Sequence, residues 1–456
     1  MLESGGRAKI EAAAGKLLDT ARGMPGLLGA DVLYARAEDY SLSMLDGEPE
    51  ENSSGVSGGI SLRCIGLDGR QGVATASGIS EPSLRDLGEW SYKNCMASEP
   101  DEGVKLYEGS SPGEEASMRL FDEDMENVAS AAFRMKICSD MTETARSQDK
   151  RVLSVRSASW SHGFAESFYA STTGLSLWKR GTRASCGVSV VLRDGESYEM
   201  GSYGQAGRFA LDLDAEDIAR TAVDRTLRIL GGKPIPTGKY TLLLEPEVTA
   251  SIVDEIGEMF CASEVHKGRS LMKGRLGRSI AGSAVTLIDD ARLPRRLGSS
   301  PFDREGVPTG RTVLIDSGAA NAYMYNLQHA AKDGTYSTGN ASGGLSETPD
   351  VAPSNLILEP GADSPERMMK NVGRGFLVTE LMGLHTINSV NGEFSLGAKG
   401  VFVENGSWCG AVAGVTIADN LIDFLKKITS VGNDLVFFGS TGAPSIVVED
   451  VSIAGE

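Results

Sequence analysis

The sequence predicts an α+β protein of two domains, and three observations support this. Short alternating segments separated by turn residues are typical of antiparallel strands. Helical periodicity falls between groups of such segments, without strict strand–helix alternation. A chain of 456 residues is too long for one ordinary hydrophobic core. We expect residues 1–235 to form an α/β-type domain with a mixed or antiparallel sheet, and residues 236–456 a mainly antiparallel β domain with a few helices.

The N-terminal half is predicted to alternate between helices and groups of strands. Asp68-Gly69 is a favoured two-residue hairpin turn, and Asp214 is a helix N-cap residue. In order, the patterns predict a helix over Lys9–Arg22, a strand over Asp31–Arg36, a hairpin over Gly59–Ser77, helices over Pro82–Met96 and Glu123–Cys138, strands over Arg151–Asp212 and a helix from Asp214 to Leu230.

The boundary between the two halves is predicted near Pro236. The double glycine Gly231-Gly232 ends the preceding helical pattern, and two prolines follow within a few residues. A helix stop followed by prolines is a strong linker signal because neither residue type continues a helix. We therefore divide the chain there.

The C-terminal half is predicted to be rich in β hairpins. Asp316-Ser317-Gly318 and Asn405-Gly406 supply turn residues between alternating segments. The patterns predict a strand over Tyr240–Leu244, a helix over Pro246–Val265, hairpins over Arg311–Asn326 and Gly400–Trp408, and short helices over Ser364–Val372 and Asn420–Ser430.

Composition excludes some classes of function. The chain has 44 Lys and Arg against 62 Asp and Glu, a net charge of −18, which does not favour direct contact with nucleic acid. No apolar run approaches the roughly 18–20 residues of a membrane span, and the first residues lack the pattern of a secretion signal. Six cysteines without a Cys-x-x-Cys pair are typical of free thiols. We expect a cytoplasmic protein that does not contact membranes.

Local motifs identify no catalytic or metal-binding residue. A zinc peptidase helix needs two histidines one turn apart, and the four histidines of this chain are scattered. A site built from His329, His385 and a distant carboxylate stays open, although no spacing favours it. The residues alone therefore predict neither catalytic nor metal ligands.

One glycine-rich segment of the C-terminal half is unusual. Ser337–Gly344 would expose backbone N–H and C=O groups that could hold an extended peptide. A long connecting loop would have the same composition. Both interpretations stay open.

The second half resembles the TldD/PmbA family over about 220 residues. The resemblance rests on motifs whose order and spacing agree with the family: Gly298–Thr309, Arg311–Gly318, Ser337–Asn340, Val378–Gly383, Gly392–Gly406, Val431–Leu435 and Val451–Glu456. It implies a two-domain α+β fold. The N-terminal half fits in length and in the order of its elements.

The resemblance also implies which kind of subunit this is. The family pairs a TldD kind, which holds zinc through H-E-x-x-x-H and a late cysteine, with a PmbA or TldE kind that lacks these ligands. The matching helix carries Val253, Asp254 and Glu258 near the ligand positions, and no cysteine follows Cys409. The chain thus resembles a PmbA/TldE subunit without a cofactor of its own, and zinc is expected only in a TldD-like partner.

The function implied is binding and cleavage or maturation of unfolded peptides by a zinc metallopeptidase complex, in which this chain is the non-catalytic member. A homodimer in isolation is a further expectation. We predict that two segments border the peptide: Ser337, Thr338, Gly339 and Asn340, and Phe302, Asp303, Glu305 and Gly306. Two alternatives stay open, a self-sufficient peptidase with a non-standard metal site and a peptide-binding module without a TldD-like partner.

Overall fold

The computed structural model describes residues 4–111 and 116–456 and has the predicted α+β fold. One six-stranded antiparallel sheet, in the order β3-β2-β1-β4-β5-β6, forms the first half. Its elements are α1 Ser4–Arg22, β1 Leu27–Leu45, β2 Glu48–Gly66, β3 Gln71–Ala76, α2 Glu81–Ala97, α3 Met125–Val128, α4 Ala131–Gln148, β4 Val152–Ser171, β5 Ser176–Asp194, β6 Ser197–Gly207 and α5 Ala215–Ile229.

The strands of this first sheet are long, and short hairpin turns connect most of the neighbouring strands directly. One of these turns lies at Asp68-Gly69, as predicted from sequence, and two others lie at Thr172–Gly174 and Asp194-Gly195. Helices α1 and α2 pack on strands β1–β3, and α4 and α5 pack mainly on β4–β6. Two apolar clusters result, one around Leu17 and Leu62 and the other around Trp160 and Ile218.

The second half forms two further six-stranded sheets, in the orders β16-β15-β14-β7-β20-β17 and β10-β9-β8-β13-β19-β18. Most pairs are antiparallel, but β7 with β14 and β13 with β19 are parallel. The elements are β7 Gly238–Leu244, α6 Pro246–Met259, α7 Ala262–His266, β8 Leu287–Asp290, β9 Arg311–Asp316, β10 Ala319–Ala320, α8 Leu327–Lys332, β11 Ala341–Ser342, β12 Asp350–Val351, β13 Leu356–Leu358, α9 Pro365–Asn371, β14 Arg374–Met382, β15 Glu393–Glu404, β16 Ser407–Asn420, α10 Leu421–Lys426, β17 Ile428–Val431, β18 Val436–Phe438, β19 Thr441–Ala443 and β20 Ile446–Ala454.

Helix α6 lies at the centre of the second half. It contacts β13, β18 and β19 of one sheet and β14 of the other. Its apolar face, with Val248, Ile252, Val253 and Ile256, belongs to the largest apolar cluster of the chain. Burial of this face fixes which residues of the helix remain outside the core.

The prediction of one continuous helix over Glu123–Cys138 is wrong, because the structure has two helices there. Helix α3 ends at Val128, and α4 starts at Ala131 after Ser130, whose hydroxyl accepts a hydrogen bond from the Phe133 N–H. Met125 is buried, whereas Met135 is 39% exposed, so the two side chains do not share one apolar face. A serine N-cap signal interrupts the apparent periodicity.

Two other predicted helices are too long. The helix from Pro246 stops at Met259, and α7 starts afresh at Ala262. The helix predicted over Asn420–Ser430 ends at Lys426, where Ile428–Val431 joins the sheet as β17. Pairing with β20 outweighs helical periodicity in this short apolar segment.

The division of the chain near Pro236 stays a prediction, and residues 1–3 and 112–115 of its first part lie outside the described residues. Strands before and after this point join different sheets. Helix α5 ends at Ile229, and Gly231 has φ +72°, as a helix-terminating glycine requires. The Asp214 side chain caps α5 by accepting the Asp217 N–H.

Candidate functional site

A cleft between the first sheet and the loops of the second half encloses a cavity of about 680 Å³. Strands β1, β4 and β5 supply one wall, including Ser167, Tyr169 and Lys179. The opposite wall comes from three loop segments of the second half, within residues 297–309, 339–345 and 352–354. A second cavity of about 630 Å³ continues along the same sheet and shares Lys179 and Leu345 with the first. The two cavities therefore adjoin each other along the sheet.

Four of the eight residues predicted to border a peptide line the first cavity: Phe302, Asp303, Gly339 and Asn340. Ser337 lines a neighbouring cavity of about 630 Å³. Glu305, Gly306 and Thr338 line neither of these cavities. Whether any of the eight contacts a peptide stays a prediction.

The Ser337–Asn340 segment is held rigidly by its own side chains. The Thr338 hydroxyl donates to Asn340 Oδ1 at 2.6 Å, and Asn340 Nδ2 donates to Asp289 Oδ2 at 2.7 Å. Gly339 has φ +78°, and a Cβ there would lie 2.7 Å from the Pro308 carbonyl oxygen. These contacts fix the conformation of the segment at the cavity wall.

Asp289 connects two of the loop segments that form the second wall of the cavity. Besides Asn340, it accepts hydrogen bonds from the Ser354 N–H at 2.7 Å and the Ser354 hydroxyl at 2.8 Å. Burial raises the pKa of its carboxyl to about 6, although these hydrogen bonds oppose the shift. No local signal in the sequence marks Asp289 as a site residue, because the loops that meet it are over 50 residues away.

The Phe302–Gly306 segment is buried beneath the first sheet. Phe302 packs with Tyr169, Leu175 and Leu177 in one apolar cluster. A Cβ on Gly306 would lie 2.6 Å from Tyr169 Cε1, so only glycine fits this approach. Through these contacts the segment packs the second half of the chain against the first sheet.

A buried network of charged side chains lies beside this segment. Arg63 Nε donates to Asp31 Oδ2 at 2.7 Å, and Arg63 Nη1 lies 3.4 Å from Glu305 Oε1. Arg304 Nη1 donates to Asp31 Oδ1 at 3.3 Å. Burial raises the pKa values of both Asp303 and Glu305. Sequence reasoning missed Asp31 and Arg63, whose only local signal is opposite charge inside apolar strands.

The structure pairs two of the four histidines. His266 Nδ1 lies 2.7 Å from His329 Nδ1, and His266 Nε2 lies 2.9 Å from Asp333 Oδ1. Burial, together with the nearby His266, lowers the pKa of His329 to about 4. His385, the other histidine considered from sequence, lies instead near Glu255 of helix α6. The two histidines of that open hypothesis thus have different neighbours.

Helix α6 presents acidic side chains outside the core. Val253 is 4% exposed and packs inward. Asp254 accepts a hydrogen bond from the Thr441 hydroxyl, and Glu258 is exposed. Burial raises the pKa of Glu255, and the carboxylates of Glu258 and Asp254 add to this effect.

Family models match three consecutive parts of the chain. They are described as domain 1, the central domain and the C-terminal domain of PmbA/TldA metallopeptidases, and they match residues 30–95, 126–230 and 237–455. The chain belongs to the TldD/PmbA metallopeptidase family.

Relatives from bacteria and archaea extend over nearly the whole chain. Metalloprotease PmbA of Escherichia coli O157:H7 is 25% identical, over 98% of this chain and 96% of its own length. The structure of TldE from Thermococcus kodakarensis is 25% identical, with a TM-score of 0.88 over 97% of this chain and all of its own. A Thermotoga maritima protein whose proposed role is modulation of a DNA gyrase is 28% identical, with a TM-score of 0.89 over 98% of this chain and all of its own.

Helix α6 offers few donor atoms at the positions where the sequence resemblance places metal ligands in TldD-type subunits. Val253 has no donor atom, Asp254 is hydrogen-bonded to Thr441, and Glu258 alone cannot form an open catalytic site, which takes three protein ligands. Within residues 4–111 and 116–456, no group of three or more His, Cys, Asp or Glu side chains is arranged to hold a metal ion. We therefore assign no step to zinc in this family member.

The described part of this TldD/PmbA family member has no helix that is both long and apolar enough to cross a membrane.

Proposed function

We propose that this chain is the PmbA/TldE-like, non-catalytic subunit of a TldD/TldE-type zinc metallopeptidase complex. The observation that carries the proposal is the chemistry of helix α6, where a buried valine and two acids stand at Val253, Asp254 and Glu258. A hydrolytic zinc site needs ligands with a defined geometry, and this helix supplies no imidazole. The catalytic zinc of the complex would then belong to the TldD-like partner.

The complex would bind unfolded peptides and cleave or mature them. The cleft between the two halves supports this role because its walls include backbone and small side chains of the Gly339–Gly344 loop. Main-chain contacts accept many sequences, which suits clients without a fixed fold. Cytoplasmic location is part of the proposal, and the net charge of −18 argues against direct contact with nucleic acid.

Association with the TldD-like subunit would use mainly the second half, where the resemblance is most specific. A stable interface of this type buries on the order of 2,000 Å² or more. Because both kinds of subunit share one fold, the isolated chain would pair with itself through the same surface. Sedimentation of the isolated chain and of an equimolar mixture with the partner measures both states, and a strict monomer unchanged by the partner would contradict this part.

The central test compares three samples: the purified chain, the TldD-like partner and their complex. We expect no stoichiometric zinc and no cleavage of an unfolded peptide by the chain alone, and about one zinc and cleavage in the complex. A partner with both motif histidines changed to alanine is the control and should abolish cleavage without preventing association.

The two alternative functions predict different results for the same samples. A self-sufficient peptidase would hold a metal and cleave peptide without the partner. A binding module would bind peptide but fail to associate with a TldD-like subunit. Either result would contradict the proposed function.

A further inference from the structure

One surface loop of the second half concentrates positive charge. Residues 267–278, between α7 and β8, include five Lys or Arg and no Asp or Glu, whereas acids outnumber basic residues by 62 to 44 in the whole chain. The five are Lys267, Arg269, Lys273, Arg275 and Arg278. The loop is therefore a local exception to the negative charge of the protein.

Most of this positive charge has no counter-ion within the described chain. Lys267 pairs with one carboxylate on α7 and one on β12. The Arg275 Nε atom donates to a backbone carbonyl of the same loop at 2.8 Å, which leaves its charge unneutralised. Arg269, Lys273 and Arg278 are exposed and form no ion pair with any described residue.

The same loop is open to solvent on its outer side. Gly274 and Gly277 have φ values of +69° and +77°, and a Cβ at either position would meet no atom within 4 Å. Leu276, between them, is 43% exposed. A partner can therefore reach the charges and an apolar side chain together, without any movement of the fold.

The hairpin between β1 and β2 carries the opposite charge. Its residues 46–51 include four acids and no Lys or Arg. Asp46 pairs with Arg146, whereas Glu48, Glu50 and Glu51 are exposed and form no ion pair with any described residue. Strand β2 pairs with β3 only from residue 60 onward, so among the described residues no strand covers the outer edge of β2 at these glutamates. This edge is accessible to a second molecule.

The loop and the hairpin are complementary in charge, but no described ion pair joins residues 267–278 to residues 46–51 within the chain. Each surface has three exposed charged side chains that no described residue neutralises. Two copies of a chain with a net charge of −18 repel each other over most of their surface. Contact between loop and hairpin supplies attraction in place of that repulsion, and it orients the two copies.

We propose that residues 267–278 of one copy receive residues 46–51 of a second copy. The contact rests on the self-pairing included in the proposed function and names the surfaces that meet. In a dimer with two-fold symmetry it forms twice, because each copy has both surfaces. Leu276 and the exposed Pro49 lie among the charges of the two surfaces, so the contact has an apolar centre and a polar rim.

Charge reversal tests this contact, because mixing two reversed variants repairs it. Lys273→Glu with Arg278→Glu makes the loop less basic, and Glu48→Lys with Glu50→Lys makes the hairpin basic. In sedimentation velocity of the full chain at ~50 mM salt, either double variant alone should dimerise about tenfold or more weakly than the parent. An equimolar mixture of the two should recover the parent's affinity to within about threefold, since both contacts of the mixed dimer again join opposite charges.

The matched control is Lys9→Glu with Lys105→Glu. These two lysines are exposed, lie outside both surfaces and form no ion pair with any described residue. Their reversal changes the net charge as much as the loop variant does, and dimerisation should stay within about twofold of the parent's. The parent dimer itself should weaken about tenfold or more between ~50 mM and ~500 mM salt, because salt screens exposed charges.

A mixture that dimerises no better than its two components, or a loop variant that dimerises as tightly as the parent, would overturn the inference and leave the proposed function intact. A parent that stays monomeric at every salt concentration would overturn the inference together with the self-pairing; cleavage by the complex with the TldD-like partner would still decide the rest of the proposed function. Binding of a DNA duplex of about 20 base pairs that is lost in the loop variant, with dimerisation unchanged, would also overturn the inference by assigning the loop to nucleic acid.

Discussion

Helix α6 and the Phe302–Gly306 segment both concentrate acidic side chains, but their surroundings differ. On α6, Glu258 is exposed, and among the described residues the hydrogen-bond partner of Asp254 is the Thr441 hydroxyl. In the buried segment, Asp303 receives three backbone N–H groups and Glu305 faces Arg63. Water solvates and screens a charge at the surface, so its contribution to stability is small. The free energy of a buried charge depends instead on the ion pairs and hydrogen bonds that it forms.

The comparison shows where charge is constrained in this molecule. Among the described residues, Asp254 and Glu258 of α6 form no ion pair, whereas Glu247 at the start of the helix is paired with Arg225. The junction between the two halves holds arginines and acids in a specific arrangement, next to the cleft. We therefore expect substitutions at the junction to affect stability and binding, and those on the α6 surface to affect little.

The largest effect is expected for Glu305→Ala. This change removes the acceptor of the Leu327 N–H and one of the two carboxylates facing Arg63, which leaves buried charge poorly compensated. We expect the free energy of unfolding to fall by about 3–5 kcal/mol. Chemical denaturation of the parent and the variant measures this difference.

Glu305→Gln is the control for that substitution, because its amide oxygen can still accept the Leu327 N–H. Its loss of stability should be smaller than that of Glu305→Ala. If the free energy of unfolding of Glu305→Ala lay within about 0.5 kcal/mol of the parent's, the buried charged network would not contribute measurably to stability.

A smaller, pH-dependent effect is expected for His329→Gln. The pKa of His329 is about 4 in the folded protein, against 6.5 when unperturbed, so the folded state binds this proton more weakly. Above pH 6.5 His329 is neutral in both states and costs the folded protein nothing. As the pH falls towards 4, the unfolded chain takes up a proton that the folded protein does not, and stability falls. Between pH 7 and pH 5 the parent should lose about 2 kcal/mol more than the variant. Parallel pH profiles of the two proteins would contradict this.

Sequence patterns predicted the first sheet well because its signals are local. Each hairpin carries its own turn residues, as at Asp68-Gly69, and each strand its own alternation. The long α6 prediction failed at Phe260 and Cys261, where contacts with Met324 replace helical ones. Helix ends that depend on a distant strand leave no local signal.

The candidate site was only partly predictable, for the same reason. The Ser337–Asn340 and Phe302–Gly306 segments were recognised from their composition and family motifs. Their partners Asp289, Tyr169 and Arg63 come from elsewhere in the chain, and only the fold brings them together. The His266–His329 pair leaves no local signal, because its two members lie 63 residues apart in sequence and not within one helical turn.

The smallest effect is expected for Glu258→Ala on the exposed face of α6. The Glu258 side chain forms no ion pair with any of the described residues, and its removal relieves repulsion on the Glu255 carboxylate. The free energy of unfolding should stay within about 0.5 kcal/mol of the parent, and peptide cleavage by the two-subunit complex should be unchanged.

Val253→Ala, five residues earlier on the buried face, is the matched control and should lower the free energy of unfolding by about 2 kcal/mol because it opens a cavity in the core. A Glu258→Ala complex that keeps its stability but loses cleavage would assign this carboxylate to the peptide or to a metal, and would remove the contrast between the two regions.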